Sequence, residues 1–257
     1  MRILVTNDDG VHAPGLAALA NQLRHLGDVT IIAPSTEQSG VGHSITYLTP
    51  LVCKPVFRDG HQFATAVDGS PADCVKLAVT QLLDPRPDLI VSGINSGLNA
   101  GINVLYSGTV AAAIEGAFFG ITSIAVSLEY SEDSDFESAA VIARNVISEI
   151  HEKRDNHEGV VRGGLFNLNI PTAATQHASK IVVAPMGLAQ YGNRYEARKD
   201  PGGRPYYWAL WNEPEKPPAE ETDVTLLQHG HVTLTPLSFD MTRHNAIEEM
   251  RRWNLQT

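Results

Sequence analysis

Only two of the 257 residues are cysteine, Cys53 and Cys74. Two thiols are too few for the disulfide framework of a secreted scaffold; they predict a reduced, cytoplasmic setting in which both serve as small core residues. No run approaches the roughly 20 uninterrupted apolar residues that a membrane-spanning helix needs, and the first residues lead straight into an apolar strand, without the basic segment or cleavage site of a signal peptide. No membrane partner is therefore expected. Basic residues are scarce and unclustered: 19 Lys and Arg stand against 29 Asp and Glu, for a formal charge of −10. Binding a nucleic-acid polymer requires a positive surface, so that class of partner is excluded, whereas a small anion held through a metal is not. The first strand is not followed by G-x-G-x-x-G, which counts against a nicotinamide enzyme, and "GVGHS" lacks the Gly-Lys-Ser/Thr ending of a Walker loop. There is no internal repeat and no low-complexity tract.

What is present is 43% apolar residues, enough for a sizeable core. Residues 2–6 form a short apolar run suited to a strand buried on both faces, and Leu16, Leu19, Ala20, Leu23 and Leu26 recur at helical spacing before Gly27. "VTIIAP", "FATAV", "DLIVSG" and "ITSIAVS" read as further strands. Helices are expected over Ala72–Leu83 after Pro71, over Thr109–Phe119 and over Phe136–Lys153. This alternation predicts an α/β fold: a Rossmann-like, mostly parallel sheet with helices on both faces. After about residue 153 the pattern changes. "GLFNLNIP" and "KIVVAP" add strands, "RYEARKDPGGRPYYWALW" reads as a hairpin turning at Pro201-Gly202-Gly203, "HVTLTPL" alternates like a strand, and His244–Trp253 as a terminal helix. The expectation is one domain over 1–257, with a core to about 190 and a hairpin-and-helix extension over about 191–257 that serves oligomerisation.

In such sheets ligands sit beyond the carboxyl ends of the strands. Asn7, Asp8, Asp9 and Gly10 follow the first strand, "QSGVGHS" (Gln38 to Ser44) lies in the loop after the second, and Asn95, Ser96, Gly97 and Asn99 follow "DLIVSG". All three sets are polar, oxygen-bearing and punctuated by glycine, and all project to one edge of the sheet. Carboxylates, amide carbonyls and hydroxyls suit Mg²⁺, Mn²⁺ or Ca²⁺ rather than zinc. A divalent ion would also offset the repulsion between two adjacent aspartates, about 4 kcal/mol at 4 Å and an effective dielectric near 20. The plain alternative is a turn with helix-capping aspartates, the commoner use of a tetrad such as "NDDG".

Ser107, Gly108 and Thr109 precede an alanine-rich helix, an arrangement that gathers backbone N–H groups and hydroxyls into a phosphate site; an N-cap without ligand is the commoner outcome. Other candidates are weaker. His43 sits in the loop of the suspected site, where a solvated or structural role outweighs proton donation. His229 and His231 would share a face of a strand, without a third metal ligand. Tyr206, Tyr207, Trp208 and Trp211 suit hairpin or interface packing better than base stacking.

Taken in order, "ILVTNDDG", "QSGVGHSIT", "VDGSPADCV", "VSGINSGLNAG", "YSGTVAAAIEG", "NLNIP" and "VTLTPLSFDMT" resemble the survival protein E (SurE) family of metal-dependent nucleotidases, from residue 1 to about 250. The resemblance implies a 5′-nucleotidase, an acid phosphatase acting on nucleoside 5′- and 3′-monophosphates, with short polyphosphate trimmed by some members. It implies one divalent ion per subunit, Mg²⁺ or Mn²⁺ with Ca²⁺ as a stand-in in crystals, held by Asp8, Asp9, Ser39 and Asn95. It also implies phosphate binding at Ser107, Gly108 and Thr109, aided by Asn95, and a homodimer or homotetramer built by exchanging C-terminal elements, with Asp240 and His244 at that interface. Two departures bear on pH optimum and substrate preference. Many relatives carry acidic residues near Ile102-Asn103, and "PSTEQSG" replaces the "PDRNxSG" form.

The mechanism expected is metal-assisted phosphomonoester hydrolysis, with Asp8 and Asp9 as the catalytic carboxylates and Asp8 orienting or deprotonating the water; attack by Asp8 itself to give an aspartyl-phosphate stays open. The rival readings are a non-catalytic, metal-dependent nucleotide-binding or sensing protein on the same scaffold, and a Rossmann-type dehydrogenase or glycosyltransferase.

Overall fold

The computed structural model describes residues 1–153, 158–188, 194–210, 221–253 and 255. Tyr191, Trp211 and most of the acidic stretch from 212 onward lie outside the described residues.

The chain alternates β1 (Arg2–Thr6), α1 (Pro14–Leu23), β2 (Asp28–Pro34), β3 (Cys53–Arg58), β4 (His61–Val67), α2 (Pro71–Leu77), β5 (Leu89–Ser96), α3 (Gly108–Phe118), β6 (Thr122–Leu128) and α4 (Phe136–Glu152). The short α5 (Glu158–Val161), β7 (Leu165–Ile170), α6 (Thr172–Gln176) and β8 (Ile181–Val183) follow, then the pair β9 (Arg194–Lys199) and β10 (Pro205–Leu210), α7 (Asp223–Gln228), β11 (Val232–Leu237) and α8 (His244–Arg251). The order in the nine-stranded sheet is β3-β4-β2-β1-β5-β6-β7-β11-β8. From β4 through β7 the neighbours are parallel. β3 runs antiparallel to β4, and β11 antiparallel to β7.

Period-two alternation in the strands builds two apolar layers. Ile3 and Val5 of β1 face α1 and α4, together with Ile31, Val91, Val126 and Leu168. Leu4 faces the other way, with Ile32, Ile90, the α2 residues Cys74 and Val75, and Ala78 just after them. Helices on both faces of a mostly parallel sheet are thus present as the strand–helix alternation predicts.

Several local expectations change. α2 stops at Leu77 and continues as one π-type turn over Ala78–Leu82, where Thr80 Oγ1 donates to the Lys76 carbonyl and Leu83 N–H bonds back to Ala78. Cys53 is exposed on the outermost strand, because β3 packs no helix over that side; Cys74 is the buried one. His229 caps the C-terminus of α7 and His231 precedes β11, so neither lies on a strand. Residues past 190 divide in two. The hairpin β9–β10 leaves the sheet with every residue exposed, whereas β11 returns to lie between β7 and β8.

The chain order runs outward from β1 to β2, then crosses to β5 on β1's other side. This reversal at β1/β5 opens a crevice above the carboxyl ends of the two strands. Val5 pairs with Val91 and Thr6 with Ser92, so Asp8-Asp9 and Asn95-Ser96 leave the sheet side by side.

Candidate metal and phosphate site

Above this reversal lies a cleft of about 490 Å³. Asp8, Asp9, Glu37, Ser39, Asn95, Asn99, Asn103 and Ser107 line it, and the rings of Tyr106 and Tyr130 stand at its walls. Four anchored chain segments meet there, and Tyr130 joins them from beyond the end of β6.

The β1 segment turns sharply after Thr6. Asn7 Nδ2 donates to the Gly10 carbonyl at 2.9 Å, and Gly10 sits at φ +96°, where only glycine is unstrained. The β2 loop is tied onto this turn by Gln38 N–H, which donates to the Asp8 carbonyl at 2.7 Å. Ser39 follows directly, and its hydroxyl donates to Glu37 Oε1 at 2.5 Å. Farther along the same loop, Asp73 accepts from the N–H groups of Thr46 and Ser70, and His43 meets Glu115 at 2.8 Å. The β5 loop rests on a buried polar cluster: Asn99 N–H donates to Asn169 Oδ1, Asn99 Nδ2 to Ser127, and Asn167 Nδ2 to the Asn99 carbonyl. Asp223, fully buried on α7, accepts from the N–H groups of Gly101 and Gly187 and pins the end of that loop.

α3 supplies the fourth segment. Ser107 caps it by accepting the N–H of Val110 at 3.1 Å, which leaves the Ser107 O–H free to donate into the cleft. Thr109 turns inward instead. Its N–H and hydroxyl both donate to Asp8, at 3.0 Å to Oδ2 and 2.5 Å to Oδ1. Gly108 lies so close that a Cβ there would come within 2.9 Å of Asp8 Cβ. Of the three residues expected at the phosphate, Ser107 faces the cleft, Gly108 gives Asp8 room and Thr109 fixes its carboxylate.

Both aspartates bind a proton more tightly than a free carboxylate. Burial pushes Asp8 up, with Thr109's hydrogen bonds opposing it. Asp9 is pushed up to about 6, first by burial and then by the charge of Asp8; the Ser96 N–H at 3.2 Å offsets part of this, and Glu37 adds to the rise at both aspartates. These carboxylates want a counter-charge. Among the described residues no three His, Cys, Asp or Glu side chains converge as one ligand group, which does not match a zinc site. Two carboxylates completed by a hydroxyl and an amide oxygen fit a hard divalent cation. Asn95 supports this fit, because its Nδ2 donates to the Gly97 carbonyl at 2.6 Å and leaves Oδ1 as the acceptor.

A larger cavity of about 940 Å³ lies beyond Ser107, walled by His43, Phe118, Met186 and Phe239, and it is mainly apolar. His43 belongs there, stacked on Phe118 at 5.3 Å and paired with buried Glu115; none of the expected metal ligands lines that cavity.

The family model described as Survival protein SurE matches residues 3–193, which include all four segments of the cleft. The chain belongs to that family. It is 70% identical, over 100% of both chains, to the 5′-nucleotidase SurE of Rhodopirellula baltica. To the 5′-nucleotidase SurE of Syntrophobacter fumaroxidans it is 42% identical, over 99% of this chain and 100% of that one. A crystal structure of SurE protein from Aquifex aeolicus matches with a TM-score of 0.86 at 35% identity, covering 99% of this chain and 100% of that one.

Within this SurE fold the sequence motifs missed two groups. Glu37 is legible only as a carboxylate two residues before Ser39. Tyr130 sits at the start of "YSEDSD", a stretch that reads as an acidic surface loop.

One stability consequence follows from the aspartates. Between the ordinary carboxylate value of 3.8 and about 6, the metal-free folded state holds a proton on Asp9 that the unfolded chain has released. Stability therefore falls as pH rises through that window. Discounted for Asp9's partial exposure, the cost at pH 7 is about 1–2 kcal/mol. Metal-free Asp9→Asn is expected to melt about 2–6 °C above the metal-free parent at pH 7 and level with it at pH 4. Added Mn²⁺ reverses the order at pH 7. Differential scanning calorimetry with and without chelator reads all three conditions.

Proposed function

We propose that this chain is a metal-dependent phosphomonoesterase, a 5′-nucleotidase that splits nucleoside 5′-monophosphates into nucleoside and phosphate, and that it extends to 3′-monophosphates and short polyphosphate. The observation that carries the reading is the meeting, in one cleft, of the Asp8–Asp9 pair with the capped N-terminus of α3: a cation site and an anion site side by side.

Asp8, Asp9, Ser39 and Asn95 would hold one Mg²⁺ or Mn²⁺. When bound, that ion polarises a phosphoryl oxygen and makes a bound water more acidic. The Ser107 hydroxyl, the Gly108 backbone and the positive end of α3 bind and orient the phosphoryl group, whose charge must be held through transfer. Asp8 takes or orients the proton of the attacking water. Thr109 keeps it fixed by engaging both carboxylate oxygens, and that favours water over Asp8 itself as nucleophile. Tyr106 and Tyr130 flank the exit and present aromatic faces to the nucleoside.

The test is phosphate release from AMP and GMP by metal-stripped protein with Mn²⁺, Mg²⁺ or Ca²⁺ restored. Release that needs the ion supports hydrolysis. Nucleotide binding without release under any ion supports the non-catalytic sensor.

We also propose a homodimer or homotetramer formed through exchanged C-terminal elements. β9, β10 and α8 bury no residue within one chain, and Tyr207 and Trp208 are more than half exposed. The hydrogen bond between His244 Nε2 and Asp240 Oδ2, at 2.6 Å, holds the start of α8 in shape for such a contact. Light scattering is expected to give the mass of two or four chains; the mass of one chain removes the proposal. The free thiols of Cys53 and Cys74 accord with a cytoplasmic setting.

A further inference from the structure

Glu37 is the one carboxylate of the cleft that the proposed chemistry leaves without a task. It lines the same wall as Asp8, Asp9 and Ser39, yet it does not converge with the two aspartates into a three-residue ligand group. Its partner is Ser39, whose hydroxyl donates to Glu37 Oε1 at 2.5 Å, the short distance of a charge-assisted O–H···O⁻ bond.

A serine hydroxyl has one proton and two lone pairs. Left alone, its O–H rotates, and in some rotations the proton points at the ion. With the proton drawn toward a carboxylate, both lone pairs face away from Glu37 and the oxygen carries more negative charge. Carboxylates bonded to metal ligands raise ligand basicity in this way, and their loss typically costs 10–100-fold in metal affinity. Asn95 follows the same pattern with a neutral acceptor, its Nδ2 donating to the Gly97 carbonyl. The loop holding the pair is fixed to the aspartates through the bond from Gln38 N–H to the Asp8 carbonyl, so Glu37 and Ser39 are registered to the two acids.

Resting on the metal site proposed above, we propose that Glu37 is a positioning residue for the divalent ion: it fixes the proton of Ser39 and so presents the Ser39 oxygen as a ligand. Beyond the direct field that Glu37 exerts on Asp8 and Asp9, this effect passes through Ser39 and requires the serine hydroxyl.

The test is Mn²⁺ titration by calorimetry on metal-stripped full-length protein, for the parent, Glu37→Gln, Ser39→Ala, the double variant and Asp8→Asn. Glu37→Gln is expected to weaken Mn²⁺ binding about tenfold, while the metal-free melting temperature stays within a degree, since both residues are exposed. The double variant is expected to lose clearly less than the two single losses combined, because removing the hydroxyl removes the main route through which Glu37 acts. Glu37→Gln binding Mn²⁺ like the parent overturns the proposal, and so do losses that add in the double variant, which would mean that Glu37 acts independently of Ser39. If the parent binds Mn²⁺ and Asp8→Asn does not, the metal site stands whatever Glu37 does. A parent that binds no divalent ion removes the site and the proposal together.

Discussion

Asp8→Asn is expected to lower metal-dependent phosphate release from AMP by about 10³-fold or more. Asp8 is 5% exposed and held by two donors, the Thr109 N–H at Oδ2 and the Thr109 hydroxyl at Oδ1. An asparagine has one oxygen and one NH₂, so one of these donors must then face another donor inside a buried turn. The substitution also removes half of the paired negative charge that makes the site attractive to a divalent ion. Losing a single preorganised donor commonly costs 10²–10³ in rate, and here both the ion's hold and the carboxylate that handles the water are affected. The metal-free variant should nevertheless remain folded, because the like-charge repulsion it removes compensates for part of the hydrogen bonding it loses. Phosphate release beside a circular-dichroism melt distinguishes a dead site from an unfolded one. Retention of a tenth of the parental rate would place the essential charge elsewhere.

Gly108→Ala is expected to cost about 10²-fold in the same assay, through a single methyl group. The added carbon would lie 2.9 Å from Asp8 Cβ, 3.0 Å from Asp8 Oδ2 and 3.2 Å from Pro71 Cγ. Asp8 cannot yield without breaking its bonds to Thr109, and Pro71 is fixed at the start of α2, whose Ser70–Asp73 capping box is complete. The damage thus falls on carboxylate geometry, and misplacement of a catalytic group by about 1 Å is worth about this factor. The helix itself gains from alanine, which favours helical conformation by roughly 1 kcal/mol over glycine, so the melting temperature should move far less than the rate. A kcat close to the parent's would show that the space beside Asp8 is not needed.

The fold was legible where the chain is regular. Alternating apolar strands and amphipathic helices up to residue 153 announced the parallel sheet and its two covering layers, because burial on both faces favours continuous apolar runs such as Ile3–Val5 and Ile124–Val126. The Asp8, Asp9 and Asn95 ends were legible for a related reason: in a doubly wound sheet the carboxyl ends of neighbouring strands open on the same side. Two things could not be read. Thr109 looks like a phosphate donor in a linear motif, and only the packing of α3 against the β1 turn shows that its hydroxyl is committed to Asp8. Cys53 looks like a core thiol, but on a strand at the rim of the sheet it is exposed together with Val52 and Phe57, and only Val56 of that strand packs inward.

β11 carries a consequence for dissecting this molecule. It runs antiparallel to β7 and parallel to β8, and it is the neighbour that β8 pairs with in the main sheet. A chain cut after the last motif of the cleft, near residue 190, would retain every residue proposed for the chemistry and still lose the strand that covers β7 on that flank. β7 would present a full row of unpaired N–H and C=O groups, with six buried side chains behind it, and β8 would have nothing to pair with. Such an uncovered margin recruits strands from other molecules. The C-terminal residues thus act as a closing seam for the sheet as well as a surface for neighbours, and a minimal fragment designed around the cleft alone would trade a nucleotidase for an aggregate.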